Sequence, residues 1–280
     1  MKEKVTITID KKILRNVDAF IDRIYIRNRS QAIEYLLEKR MDENKTAVIL
    51  ATGPSENLRI SKDEFRPTAK IGKTTVIELA IKNLRQNNFK KIFIIGEQPV
   101  LTSIFNLIGD GRRYGISIRY IDEENSPGTA DSLRLLKDEL KTTFLVVFSD
   151  IIFNKLDIEH LWKHHFKHKG TATLMATNSS LIKGGKIKPV MRSFIRIEGD
   201  TVIKAFEKQK ANKKVPEDSL SFSSLFIAEP EILHYSGSSL ENDVFPLLSE
   251  KGFLFSYLSS EGEIHIHSKE DISLVRLNSF

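Results

Sequence analysis

The chain has 280 residues, more than one average domain needs and fewer than three would take, so its length predicts a small module joined to a larger domain. A composition 40% hydrophobic and 29% charged argues against a disordered chain, and no run of about eighteen apolar residues is available for a membrane span. The absence of cysteine excludes disulfides and thiolate metal sites, while a net charge of +6 permits a polyanionic partner; a cytoplasmic protein is expected.

From the N-terminus, "KVTITID" alternates Val5, Ile7 and Ile9 with Lys4, Thr6 and Thr8, the period of a strand with one buried face. Asp10 then caps a predicted helix whose apolar stripe is Ile13, Leu14, Val17, Phe20, Ile21 and Ile24. A second helix, "NRSQAIEYLLEKRM", starts with Asn28 as N-cap and Gln31 three residues on, and buries Ala32, Ile33, Leu36 and Leu37. A unit this small, residues 1–45, has too little core to stand alone, which predicts an intertwined homodimer.

Lys4 to Met41 resembles the ribbon-helix-helix DNA-binding family. The resemblance implies that two strands, one per subunit, lie in the major groove of an operator in double-stranded DNA, with Lys4, Thr6 and Thr8 facing base edges. It also implies that Asn28, Arg29 and Ser30, opening the second helix, face a backbone phosphate. Paired heads would allow tetramers on tandem half-sites.

Residues 46–280 alternate apolar runs ("TAVILA", "KIFIIG", "ISIRYI", "FLVVFSD") with amphipathic segments such as "TTVIELAIKNLRQN". This βαβ pattern predicts an α/β domain built on a mainly parallel, Rossmann-like sheet, with ligands at the carboxyl ends of its strands.

Thr46 to Ser279 resembles the sugar-1-phosphate nucleotidyltransferases, the NDP-sugar pyrophosphorylase type. On that likeness Gly53 belongs to the phosphate loop, and Gly128, Thr129 and Ala130 match the base-binding Gly-Thr-Ala. Asp150 takes the place of the metal-binding aspartate, while Glu207 and Lys208 fall on a Glu-Lys-Pro motif associated with the sugar and its phosphate. A second metal aspartate is replaced by His265, and the implied cofactor is a divalent cation, Mg or Mn.

The departures fall on the chemistry. A Gly-Gly-x-Gly-x-Arg loop reads Thr52, Gly53, Pro54, Ser55, Glu56 and Asn57, with serine at a loop glycine, asparagine in place of the arginine, and a carboxylate gained at Glu56. A Pro-Lys pair reads Pro67 and Thr68, with Arg59, Arg66, Lys70 or Lys73 near enough to substitute. An Asn-Ala-Gly reads Phe222, Ser223 and Ser224, expected to bulk up the sugar pocket.

His160, His164 and His168 recur every four residues, a helical spacing that offers possible metal ligands, but no acidic residue is spaced with them and they read as a solvated basic face. Lys183, Lys186, Lys188 and Arg192 read as an exposed basic loop. Together these features predict a DNA-binding transcriptional regulator whose degenerate transferase domain, a pseudoenzyme, senses a nucleotide or nucleotide sugar. The alternative is an active sugar-1-phosphate nucleotidyltransferase with an N-terminal dimerisation or regulatory module.

Overall fold

The computed structural model describes residues 4–43, 45–124, 127–178, 194–207 and 220–278. The chain divides into two compact units, Met1–Asn44 and Lys45–Phe280.

In the first unit α1 spans Lys11–Asp18, capped by the Asp10 carboxylate, which accepts from the Lys12 amide at 2.7 Å. The predicted stripe ran on to Ile24, but the helix ends six residues sooner. Asp22 takes over there, its Oδ1 accepting from the amides of Ile24, Tyr25 and Ile26, and those bonds favour a turn over another helical repeat. Helix α2, Arg29–Glu43, opens as the sequence implies: Asn28 Oδ1 accepts from the Gln31 amide at 3.0 Å, and Gln31 reaches back to the Arg27 amide at 2.7 Å. A bidentate Arg29–Asp18 pair, 2.7 and 2.9 Å, ties the two helices together.

Residues 4–10 form no strand within the single chain. Val5 and Ile7 are 72% and 56% exposed, so the buried face that the alternation predicts does not exist inside one subunit. Leu37, assigned to the buried face of α2, is exposed together with Ile13 and Ile24; among the described residues of this unit, Val17 and Ala32 are the buried apolar ones.

The second unit is built on a nine-stranded sheet. Its strands are β1 (Lys45–Ala51), β2 (Phe89–Gly96), β3 (Ser117–Asp122), β4 (Phe144–Phe148), β5 (Ala172–Asn178), β6 (Phe194–Glu198), β7 (Thr201–Glu207), β8 (Leu220–Ala228) and β9 (Leu254–Ser259). The order β3-β2-β1-β4 is parallel throughout, as the βαβ pattern requires. Beyond β4 the sheet is mixed, which corrects the mainly parallel expectation: β8 runs antiparallel to β4 and to β5, β9 is parallel to β5, and β6 and β7 form an antiparallel hairpin. Antiparallel neighbours need no helical crossover, so this half carries fewer helices.

Every residue of β1 is buried. Ala47, Ile49 and Ala51 point into one core with α3 (Val76–Gln86), α4 (Gln98–Ile108) and α6 (Ile158–His165), through Ile77, Ile81, Ile104 and Trp162. Val48 and Leu50 point into the other, where α5 (Thr129–Arg134) and α7 (Phe245–Glu250) contribute Leu133, Phe245 and Leu248. Helix α3 begins with a full capping box, Thr75 and Glu78 exchanging bonds with each other's backbone.

Phe222, in the segment expected to bulk up a sugar pocket, belongs to this second core. Its ring meets Phe148 and Phe245 edge-on, because the strand's alternation turns it inward. Ser224, at the position of the family's glycine, keeps a left-handed backbone (φ 53°) at the irregularity in the β5–β8 pairing.

His165, fully buried at the end of α6, pairs Nδ1 with the Thr173 hydroxyl (2.7 Å) and Nε2 with Glu229 (3.0 Å), which also accepts from Thr143 (2.8 Å). Burial alone would raise the Glu229 pKa; the bonds from His165 and Thr143 bring it below the ordinary 4.5. A carboxyl lowered in the fold stabilises fully above its unfolded pKa and loses that contribution as pH falls through the folded one. In urea titrations His165→Ala should therefore cost about 2–4 kcal/mol, from the cavity and the stranded Thr173 and Glu229 groups. Glu229→Gln should lose less of its stability than wild type does as pH falls below the ordinary carboxylate value.

Candidate active site

The chain runs β1, β2, β3 outward on one side of β1 and then returns to β4 on its other side, so strand order reverses at the β1–β4 junction. Such a reversal opens a crevice at the carboxyl ends of the strands. Gly96 lets β1 and β2 close at that edge: a Cβ there would lie 2.6 Å from the Ala51 carbonyl oxygen.

Two carboxylates hold the loop after β1. The Gly53 amide (φ 92°) donates to Glu123 Oε1 at 2.8 Å, and the Ser55 amide donates to Glu97 Oε2 at 2.8 Å. Backbone amides that a phosphate loop would turn toward a polyphosphate are thus engaged by the protein's own acids. Glu123 is buried, and this desolvation pushes its pKa up; the Ser132 hydroxyl and Gly53 amide pull it down, and the charges of Glu97 and Asp122 push it up again. Neither Glu97 nor Glu123 was singled out from the sequence.

Asp150 lies just beyond β4, where the adjacent Ser149 amide donates to the Leu50 carbonyl at 2.9 Å. The Asp150 carbonyl accepts from the Ile266 amide at 2.9 Å, and a two-residue antiparallel ladder pairs Ile151 with His265 and Ile152 with Ile264. Two imidazoles arrive with it: one ligand atom each from Asp150, His265 and His267 lies within 4.8 Å of the others. His267 Nε2 is 3.4 Å from Asp150 Oδ2, and buried Glu263 holds His265 Nε2 at 3.1 Å. His267 was not anticipated; two alternating histidines, His265 and His267, in "EIHIHS" are the signal that could have found it.

Arg66, in the short 3-10 turn Arg66–Thr68, completes the cluster. Its Nη1 is 3.0 Å from Asp150 Oδ2, so this cation, one of the four candidates, reaches the aspartate. Burial would raise the Asp150 pKa, but the His267 bond and the charges of His265, His267 and Arg66 bring it down to about 2. One carboxylate and two imidazoles are a poor donor set for magnesium, which takes oxygen ligands, and a suitable one for manganese or zinc.

The Gly-Thr-Ala segment binds the chain itself. The Ala130 amide donates to the Ser238 carbonyl at 2.8 Å, and the Thr129 hydroxyl accepts from the Leu240 amide at 2.9 Å. A Cβ on Gly128 would sit 2.5 Å from the Ser238 oxygen. Glu207 ends β7, where only the backbone is described. Lys208 and the basic loop of Lys183, Lys186, Lys188 and Arg192 lie outside the described residues.

A parallel four-stranded edge with an aspartate beyond its fourth strand and a loop folded over its first defines an α/β domain with a ligand crevice at the strand ends. A family model described as Nucleotidyl transferase matches residues 46–235, and the chain belongs to that family. Among curated proteins it is 25% identical over 152 residues to the mannose-1-phosphate guanyltransferases of Saccharomyces cerevisiae and Pichia angusta. The match covers 52% of this chain but only 40% and 39% of those two proteins.

Among solved structures, a Bacillus anthracis glucose-1-phosphate thymidylyltransferase shares the fold with a TM-score of 0.70 at 20% identity, covering 84% of this chain and 97% of that one. The inositol-1-phosphate CTP transferase of T. maritima gives a TM-score of 0.63 at 16% identity, covering 82% and 91%.

Gly128→Ala should lower the unfolding midpoint, at a cost of about 1–3 kcal/mol, because backbone has to move to admit the methyl group. Thermal melts of the two proteins check this.

Proposed function

We propose that the chain is a sugar-1-phosphate nucleotidyltransferase of low turnover, its N-terminal helical unit serving for dimerisation or regulation. The observation that carries this reading is Asp150, held beside Arg66, His265 and His267 at the crevice where strand order reverses. The similar proteins named above are each described as transferring a nucleotidyl group to a 1-phosphate, which supports the substrate class. In such a reaction an oxygen of the sugar phosphate bonds to the α-phosphorus of a nucleoside triphosphate. The bond to the bridging oxygen breaks, and pyrophosphate leaves.

A manganese or zinc ion held by Asp150, His265 and His267 would supply positive charge beside the phosphates. Arg66, freed from Asp150 when its charge is otherwise met, supplies a cation on the same side. Glu97 and Glu123 hold the loop amides that an incoming triphosphate would have to win. Asn57 replaces the family's stabilising arginine, and one such donor is worth about a hundredfold or more in rate, so turnover is slow.

A second reading, a DNA-binding regulator that senses a nucleotide sugar, is favoured by the first unit. Exposed Val5 and Ile7 alternate with Thr6 and Thr8, and such a strip is buried by pairing with a second copy.

Pyrophosphate release, followed with manganese or zinc across a panel of nucleoside triphosphates and sugar 1-phosphates, tests the first reading. Release that Asp150→Ala lowers by about a hundredfold or more supports it. No release in any combination, with operator DNA binding that Thr6→Ala weakens and a nucleotide sugar shifts, would put the regulator in its place.

A further inference from the structure

The histidines read as a solvated basic face have an acidic partner from elsewhere in the fold. Asp200 sits in the turn between β6 and β7, with His168 Nε2 3.3 Å and His164 Nε2 3.9 Å from its Oδ2. One ligand atom from each of the three residues lies within 4.8 Å of the others. His164 Nε2 is buried and has no hydrogen-bond partner among the described residues.

The surroundings hold this arrangement in place. Beyond α6 the backbone keeps winding, the Lys167 and His168 amides donating to the carbonyls of His164 and His165, so the His164 and His168 rings stand 4.8 Å apart. Ser256 on β9 fixes the Asp200 side, its amide donating to the Asp200 carbonyl at 2.8 Å. Phe255 stacks on His168 at 4.6 Å, and Tyr257 packs against His164 at 5.4 Å.

We propose that His164, His168 and Asp200 form a binding site for a divalent transition cation, zinc being the best match, separate from the Asp150 cluster. Two imidazoles and one carboxylate are zinc-type ligands, and tetrahedral bonds of about 2.0–2.2 Å place neighbouring ligand atoms roughly 3.3 Å apart; the His168–Asp200 pair stands at 3.3 Å, and the His164–Asp200 pair, at 3.9 Å, closes by a small side-chain shift on binding. Asp200 is half-exposed, which leaves the remaining position to water. Among the described residues, the hairpin that carries Asp200 pairs in register with β9 at Thr201–Phe255 and with β8 at Phe194–Ser221. A cation here pins that hairpin to the end of α6, and β7 runs from the pinned turn to Glu207.

Zinc titration by calorimetry on the full chain tests the site, in an Asp150→Asn, His265→Ala background that removes the other cluster. The expected result is one equivalent bound with a rise in melting temperature, and Co2+ in place of zinc giving visible d–d absorption. His168→Ala and Asp200→Asn should each weaken binding at least tenfold, while His160→Ala, on the exposed face of the same helix, should leave it unchanged. If the background variant does not fold, the same substitutions in the wild-type chain should remove one equivalent of bound zinc. No uptake in the folded background, or uptake indifferent to both His168→Ala and Asp200→Asn, overturns the proposal and leaves a plain His–Asp ion pair.

Discussion

Complete burial of β1 is the constraint on which the larger domain depends. A strand covered on both faces must be apolar along its whole length and must have a neighbour on each side, and Ala47 to Ala51 meet both demands between β2 and β4. Alternate residues then feed two cores, so the helices are forced onto both faces of the sheet. The same strand sets where order reverses, and hence where the crevice opens. Gly96 belongs to this constraint, since a side chain there would push β1 and β2 apart at the edge that holds the site.

Acids converge on that edge from three strand ends: Glu97 after β2, Glu123 after β3 and Asp150 after β4. Burying carboxylates is costly unless each finds donors, and each finds a different set. Glu97 takes an amide, Glu123 an amide and a hydroxyl, and Asp150 a guanidinium and an imidazole. These three carboxylates are thus answered internally, whereas Arg66 Nε and Glu263 Oε2 are buried with no hydrogen-bond partner among the described residues. An anionic ligand gains only what it adds beyond those bonds, and a cation at Asp150 changes the balance by taking over the neutralisation that Arg66 provides.

The first unit presents the opposite problem, with apolar surface that one subunit leaves uncovered. Among the described residues its bonded polar groups are satisfied within the unit: Asp10 and Asn28 cap helices, Asp22 closes the turn, and Arg29 is engaged by Asp18. Its apolar residues are not, since Val5, Ile7, Ile13 and Leu37 all face outward. For Arg29, named as a phosphate contact, the ion pair with Asp18 is a competing use of the same guanidinium.

What could be read from the sequence was local. The βαβ alternation of apolar runs marked the strands of the parallel half, side-chain chemistry within three or four residues marked the caps of α1 and α2, and an apolar run ending in Asp150 marked a strand end. The mixed half of the sheet was not legible, because antiparallel pairing of β8 with β4 and β5 leaves no short-range signature. His267, Glu97, Glu123 and the Asp200 partner of the histidines were missed for the same reason. Each acts on a group between about thirty and well over a hundred residues away along the chain, and only packing brings them together. Sequence alone determined which segments had to be buried and how each one starts; tertiary structure decided which charges face one another, because a charge's partner is chosen by distance in space and not along the chain.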